Sequence, residues 1–286
     1  MNEAELAVEK TNMLSKAGLN WKVKSEPIQT VSGILIPERI ALVREDTNKI
    51  LGIHTENYSP YQNDELLDLL FKISQQSGLV VHTGGCFKGG EKVWFQLKSA
   101  DLKLGTDKIE GYVSGFNSHD GRTCLSFGTA TVTVSCMNTF WMGYRQTNTK
   151  LRHSSTMRPR IDEILRQIDV LIKEEQTQFG EITKLSETRM SPEIKELITK
   201  RLFEISVEER LDNPEHSTNL KNRLWRFNYD LGIELQQKED SLWGLFSGVT
   251  RYTTHSMKRG DNSEGKMFGR TGVIEREIYK ELVEMT

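Results

Sequence analysis

The sequence contains few cysteines. Only three occur, Cys86, Cys124 and Cys136, and no two of them form a CxxC pair. This number and this spacing argue against a disulfide framework and against a zinc ribbon. Unpaired thiols are typical of a reducing compartment, so we expect the protein to act in the cytoplasm.

Long apolar runs are absent as well. No window of the sequence approaches the roughly 20 apolar residues of a membrane-spanning helix. The first ten residues, MNEAELAVEK, are rich in charge and lack the apolar centre of a signal peptide. We therefore expect a globular protein that has no membrane partner.

Neither sign of charge is in large excess. Lys and Arg number 38 and Asp and Glu number 40, which gives a formal net charge of −2. Any nucleic-acid affinity must therefore come from a local basic patch. The sequence has no GxxxxGK[ST] motif, which disfavours ATP-driven strand exchange, and no HxxxH or paired-carboxylate spacing that would support a metal site. We expect no cofactor and no bound metal, and we assign no catalytic residue.

The distribution of turn residues and apolar stripes predicts the organisation of the chain. Residues 1–50 read as an N-terminal extension with short strands, and residues 51–160 as a core of mixed sheet and helix. Residues 161–286 read as a helical region packed on that core. The expected fold is α+β, with an antiparallel sheet and a packed helix in the N-terminal half and helices in the C-terminal half.

Two helices are predicted most clearly by their apolar spacing. One is capped by Asn63 and ends at Gly78. The other is expected to run without interruption over Arg160–Leu185, about 26 residues or ~39 Å at 1.5 Å per residue. Its length leaves room for self-association, so we expect an oligomer.

The segment Asn117–Gly121, NSHDG, has the composition of a turn between two strands. Asn and Asp side chains can bond their own backbone, and Asp-Gly supplies a residue that tolerates positive φ. Asn117, His119 and Asp120 form a candidate functional turn. One alternative is a divalent-metal site for phosphodiester hydrolysis, with His82, His153 or His255 nearby in space. The other is that these residues only tie the loop to the backbone.

A local basic stretch follows the turn. Between Asp120 and Asp162 there is no acidic residue but there are six basic ones. Five of them are candidate phosphate contacts: Arg122, Arg145, Lys150, Arg152 and Arg158. Aromatic residues are interleaved, and Phe116 and Tyr144 are the candidates for stacking on bases. The alternative is that the aromatic residues belong to the core and the arginines to a solvated rim.

Several motifs resemble those of phage/plasmid-like proteins in domain-of-unknown-function family 932. They are YSPYQN at Tyr58–Asn63, Gly-Gly-x-Lys-Val-Trp at Gly89–Trp94, NSHDG, TVSCMNTFW up to Trp141, LRHS at Leu151–Ser154 and SLWGLFSGVTRYTTH at Ser241–His255. The resemblance implies a mobile-element origin but supplies no catalytic residue.

The order of the elements is also similar to the core of the single-strand annealing proteins of phage recombination. This likeness implies a basic groove for single-stranded DNA and assembly into rings or filaments. The sequence therefore predicts a non-enzymatic single-stranded nucleic-acid-binding protein that acts in recombination or replication. The alternatives are a metal-dependent nuclease that uses Asn117–Gly121 and a non-catalytic oligomeric interaction protein.

Overall fold

The computed structural model describes residues 2–105, 107–133, 138–141, 150–257 and 263–286. Within these ranges the N-terminal half contains antiparallel sheets with helices and the C-terminal half is helical, which confirms the predicted α+β class. The strands are β1 (Val23–Gln29), β2 (Leu35–Arg44), β3 (Ile50–Thr55), β4 (Val80–Phe87), β5 (Lys92–Leu104), β6 (Asp107–Ser118), β7 (Leu125–Thr133), β8 (Asn138–Trp141) and β9 (Lys150–Leu151). The α-helices are α1 (Glu3–Lys16), α2 (Asn63–Ser77), α3 (Ile161–Leu165), α4 (Ile168–Glu187), α5 (Pro192–Phe203), α6 (Thr218–Lys238), α7 (Leu242–Arg251), α8 (Ser263–Phe268) and α9 (Arg270–Val283).

The strands form two sheets. The first has the order β1-β2-β3, and its register pairs Pro27 with Ile40 and Ile40 with His54. The second has the order β4-β5-β6-β7-β8, and the short strand β9 pairs with β7. The pairing of β9 sets Leu151 opposite Leu125 and Lys150 opposite Ser126. This register brings the segment after β9 back to the turn that follows β6.

The chain divides into two compact units that are discontinuous in sequence. The first comprises the described parts of Met1–Ala100, Tyr112–Thr129 and Gly143–Lys173. The second comprises those of Asp101–Gly111, Ala130–Met142 and Glu174–Thr286. The division of the sequence at residues 50 and 160 stays a prediction, and residue 50 is the first residue of β3.

Helix α2 supplies much of the apolar core of the first unit. Its buried face carries Leu66, Leu67, Leu70, Phe71 and Ile73, at the spacing that the sequence predicts. The residue that precedes the helix is Gln62, whose backbone N–H donates to the Glu65 carboxylate at 2.8 Å. Asn63, the predicted cap, is instead the first helical residue and is 1% exposed. The C-terminal prediction is confirmed, because Gly78 caps the helix in the left-handed conformation.

The second unit has its own apolar core. It is built from α5, α6, α7, α9 and the end of α4, with Ile182, Ile198, Phe227 and Leu245 fully buried. Helix α7 is buried from Leu242 to Thr250, as its apolar sequence predicts, and continues into a π-helical turn over Tyr252–Ser256. None of the described helices is long and apolar enough to cross a membrane.

The predicted helix over Arg160–Leu185 is wrong in its continuity. A 3₁₀ turn over Arg158–Arg160 leads into α3, and α4 begins only at Ile168. At the break, the Gln167 N–H donates to the Ile164 carbonyl three residues earlier, which is the 3₁₀ spacing and not the α-helical spacing of four. The apolar stripe passes through the break without a Gly or Pro, so the sequence pattern carries no sign of it.

Replacement of glycine by alanine should change the free energy of unfolding in opposite directions at a helix end and in an exposed helix interior. Gly78 has a φ of 75°, which an L side chain rarely adopts. We expect Gly78→Ala to lower the free energy of unfolding by about 1–2 kcal/mol. In the interior of α6, a Cβ at Gly232 would meet no atom within 4 Å. We expect Gly232→Ala to raise the free energy of unfolding by about 1 kcal/mol. Urea denaturation checks both, and changes of the same sign would contradict this account.

Candidate functional site

The end of β6, with Asn117 and Ser118, and His119 in the turn that follows it are buried although they are polar. Asn117, Ser118 and His119 are each 0% exposed. The Ser118 hydroxyl donates to the Thr123 carbonyl at 2.7 Å and accepts from the Thr123 N–H at 3.0 Å. Gly121 has a φ of 72°, as the Asp-Gly pair predicts. The backbone N–H groups of His119 and Asp120 both donate to the Glu91 carbonyl. Hydrogen bonds to Glu91 and Thr123 therefore hold the turn from both sides.

Two histidine–asparagine contacts hold the side chains of this region. His153 Nε2 lies 2.6 Å from Asn117 Oδ1, and His119 Nε2 lies 3.1 Å from Asn63 Oδ1. The Asn117 amide nitrogen donates to the Tyr61 carbonyl at 2.7 Å. Three segments that are far apart in sequence are thus linked by side-chain hydrogen bonds. We call this set, together with His54, Tyr58, Lys92 and Asp120, the histidine network.

A stack of three rings covers one side of the network. The rings of His54 and Tyr58 lie 3.9 Å apart at 23°, and those of Tyr58 and His153 lie 5.1 Å apart at 17°. The Tyr58 hydroxyl donates to the Ser118 carbonyl at 2.8 Å, and burial raises its pKa. His54 Nε2 lies 2.9 Å from the His119 carbonyl. The stack therefore supplies hydrogen-bond donors to the carbonyl groups of the turn.

The hydrogen bonds fix the tautomers of the histidines. The Asn63 amide nitrogen donates to the carbonyls of Leu19 and Trp21, so its oxygen faces His119 as an acceptor. His119 Nε2 must then carry the proton, and its Nδ1 carries a lone pair. The same reasoning places the proton of His153 on Nε2, because the Asn117 amide nitrogen already donates to a carbonyl. His119 Nδ1 is buried and has no hydrogen-bond partner in the described part of the chain.

Both of these histidines are held in the neutral form. Burial, reinforced by repulsion from His153, lowers the pKa of His119 to about 3. Burial and repulsion from His54 lower the pKa of His153 to about 4. An imidazolium at either position would lose its hydration without gaining a partner of opposite charge in hydrogen-bonding reach.

Asp120 is paired with a buried cation. The Lys92 ammonium lies 3.2 Å from Asp120 Oδ2, and the two side chains are 6% and 7% exposed. Asp120 Oδ1 also accepts from the Arg122 N–H at 2.9 Å. A carboxylate that is compensated in this way is not a free metal ligand. Among the residues that the structure describes, no group of three or more His, Cys, Asp or Glu side chains is placed to hold a metal ion.

The network joins motifs that the sequence analysis treated separately. YSPYQN contributes Tyr58 and Asn63, Gly-Gly-x-Lys-Val-Trp contributes Lys92, NSHDG contributes the turn itself, and LRHS contributes His153. The sequence analysis gave Asn63 only a helix-capping role, assigned none to Tyr58 or Lys92 and did not consider His54. The available signal was the position of Tyr58, Asn63 and Lys92 inside the family motifs.

Two of the five candidate phosphate contacts are exposed and have no side-chain partner among the described residues. Arg122 and Arg152 are exposed, and neither guanidinium makes a hydrogen bond or an ion pair to another described residue. Lys150 is exposed in β9. Tyr144 and Arg145 lie outside the described residues.

The phosphate candidate Arg158 and the stacking candidate Phe116 both have their side chains occupied within the chain. The Arg158 guanidinium forms a two-pronged ion pair with Glu65, with both N–O distances at 2.9 Å, and also donates to Ser59 and the Pro60 carbonyl. These contacts use its donors within the chain. Phe116 is 1% exposed, so its ring is not open to a base. It lies in the part of β6 from Gly111 to Ser118, where every residue is buried.

Comparison with known proteins agrees with the motifs. The family described as "Domain of unknown function (DUF932)" matches residues 50–274. The chain belongs to this family. The DUF932 match includes every residue of the histidine network. Searches of curated proteins and of solved structures gave no significant match.

Burial of neutral histidines predicts a loss of stability in mild acid. The unfolded chain binds protons at a pKa near 6.5, whereas folded His119 and His153 do not until about pH 3 and 4. Stability is therefore fully present above pH 6.5 and falls as the pH drops toward 4. Between pH 7 and pH 5 we expect each histidine to cost about 2 kcal/mol of the free energy of unfolding.

Chemical denaturation at a series of pH values measures this slope. His153→Gln should remove about half of it, since glutamine can still donate to Asn117 but does not titrate. His82→Gln is the matched control, because His82 is exposed in the same unit. A slope that is the same in the wild type and in His153→Gln would contradict the assignment of a neutral, buried histidine.

Proposed function

We propose that this DUF932 protein binds single-stranded nucleic acid, with Arg122 and Arg152 as phosphate contacts beside the histidine network. The pairing of β7 with β9 supports this assignment. Its register sets Leu151 opposite Leu125, so Arg152 follows beside Cys124, two residues from Arg122. Two exposed guanidinium groups that make no ion pair with the described residues are thereby held at one end of one strand pair.

The surrounding charges favour an anion at this position. His119 and His153 are neutral, and the charge of Asp120 is compensated by Lys92. The two arginines are then the uncompensated charges beside the turn. Phosphate groups are recognised by guanidinium groups through charge-assisted hydrogen bonds, and their counterions are released on binding. The rigid network would fix the positions of both arginines.

The biological setting is part of the same proposal. The motifs resemble those of phage- and plasmid-encoded proteins, and the order of elements is similar to that of single-strand annealing proteins. We place the protein in recombination or replication of a mobile element, in the host cell cytoplasm. Self-association and strand annealing are predictions of this proposal. A metal-dependent nuclease that uses Asn117–Gly121 also stays a prediction, and an assay of cleavage with and without a divalent cation tests it.

The dependence of binding on salt measures the contribution of the arginines. Each phosphate contact to a single strand contributes about 0.7 to the slope of log K against log salt concentration. We expect Arg122→Gln and Arg152→Gln each to weaken binding of a labelled single-stranded oligonucleotide and to reduce the slope by about 0.7. Fluorescence anisotropy at several salt concentrations provides both quantities.

Arg158→Gln serves as the control within the same basic stretch. Its guanidinium is committed to Glu65, so its loss should lower the unfolding midpoint and leave the salt slope unchanged. Absence of binding by the wild-type protein at low salt would overturn the proposal. So would a salt slope that falls equally in all three variants.

A further inference from the structure

An aromatic pair on α6 is mostly exposed to solvent. Trp225 is 67% exposed and Tyr229 is 61% exposed, although both lie in a helix whose opposite face is core. Their rings are nearly parallel, with centroids 5.8 Å apart and planes at 15°. An i,i+4 pair of this kind stabilises a helix by only about 0.2–0.5 kcal/mol. Two adjacent exposed rings form an apolar patch, which is more informative than a single exposed apolar side chain.

The surroundings of the pair are polar and positively charged. From residue 216 to residue 229 the sequence contains Lys221, Arg223 and Arg226 and no acidic residue. Arg226 is exposed three residues before Tyr229, on the same side of the helix, and makes no ion pair with another described residue. Arg223 is turned inward over the ring of Phe203. The exposed rings therefore lie beside a free guanidinium.

The helix is also open where it continues past the pair. Gly232 lies one turn after Tyr229 and is exposed, and a Cβ there would meet no atom within 4 Å. Packing within the chain therefore does not require glycine at this position, and glycine weakens a helix interior.

We infer that Trp225 and Tyr229 form a stacking platform for the bases of single-stranded nucleic acid, with Arg226 contacting the adjacent phosphate. This inference rests on the proposed function and adds a second binding site, in the second unit, that the family match does not assign. Flat, unpaired bases stack on exposed aromatic rings without regard to sequence. Bases in a duplex are already stacked on one another, so the platform should discriminate against double strands.

The size of the apolar patch argues against a second copy of the chain as its occupant. Two aromatic side chains bury at most about 150–250 Å² each. A standard protein interface buries about 800 Å² on each partner. The exposed neighbours along the helix, Asn222, Arg226 and Asn228, are polar. A cation beside two rings matches a polyanion with stacking bases better than it matches a copy of the same cationic surface.

Variants at the two rings test the inference. We expect Trp225→Ala and Tyr229→Ala each to weaken binding of a single-stranded oligonucleotide by about 5- to 150-fold, with the unfolding midpoint unchanged. Trp225→Phe keeps a stacking ring and should retain most of the affinity. Trp225→Leu keeps apolar area without a π-face and should behave like Trp225→Ala. Val207→Ala is the control, because Val207 is 64% exposed in the same unit but carries no ring.

The outcomes separate this inference from the proposed function. Loss of affinity in Arg122→Gln and Arg152→Gln but not in the two ring variants would overturn the platform and leave the proposed function intact. Equal affinity of Trp225→Leu and Trp225→Phe would also overturn it, since stacking would then not be involved. A lower sedimentation coefficient of Trp225→Ala with an unchanged Kd would assign the face to self-association instead. Absence of binding by the wild type would overturn both proposals.

Discussion

The requirement that buried polar groups find partners governs the first unit. Asn117, Ser118 and His119 enter the interior with amide, hydroxyl and imidazole groups that would each cost free energy if left unpaired. Their partners come from α2, from the loop before it and from the segment after β9. Because each bond needs a donor and an acceptor at one distance, the network admits one arrangement of these segments. The positions of Arg122 and Arg152 are a consequence of that arrangement.

The histidines take part in this network as fixed hydrogen-bond donors. A neutral imidazole offers one donor and one acceptor, and the asparagine oxygens select the Nε2-protonated form. The lone pair of His119 at Nδ1 stays unpartnered among the described groups. A buried acceptor without a partner costs free energy, and the other hydrogen bonds of the network hold the imidazole ring in place despite that cost. The polar groups of the turn therefore fix its position, and in the proposed function the contacts with phosphate come from the exposed Arg122 and Arg152.

The second unit combines an apolar core with paired buried charges. Lys238 lies 3.0 Å from Asp107 and contacts Glu234, and Lys266 lies 3.0 Å from Glu275. Pairs of this kind add little net stability, but removal of one partner is costly. These buried charges are thus paired inside the unit, whereas the aromatic pair on α6 is open to solvent. Sequence reasoning missed this pair because Trp225 and Tyr229 lie beside the apolar residues Leu224 and Phe227, a spacing typical of a buried face.

Local rules were enough for the fold class, for the extent and C-terminal cap of α2 and for the turn at Gly121, although Asn117 and Ser118 of the predicted turn belong to β6. Each depends on residues that are neighbours in the chain, such as Gly78 after an apolar helical stripe or Asp120 before Gly121. Local rules were not enough for the break before Ile168, the burial of Phe116 or the pairing of Arg158 with Glu65. Composition and spacing do not specify which face of a strand is buried. They also do not specify whether an arginine finds an acidic partner in a distant segment of the chain. The sequence by itself determined which elements form and where the charge is concentrated. Only the tertiary structure decided which polar residues meet and which cations and rings face solvent, because those outcomes depend on contacts between segments that are distant in the chain.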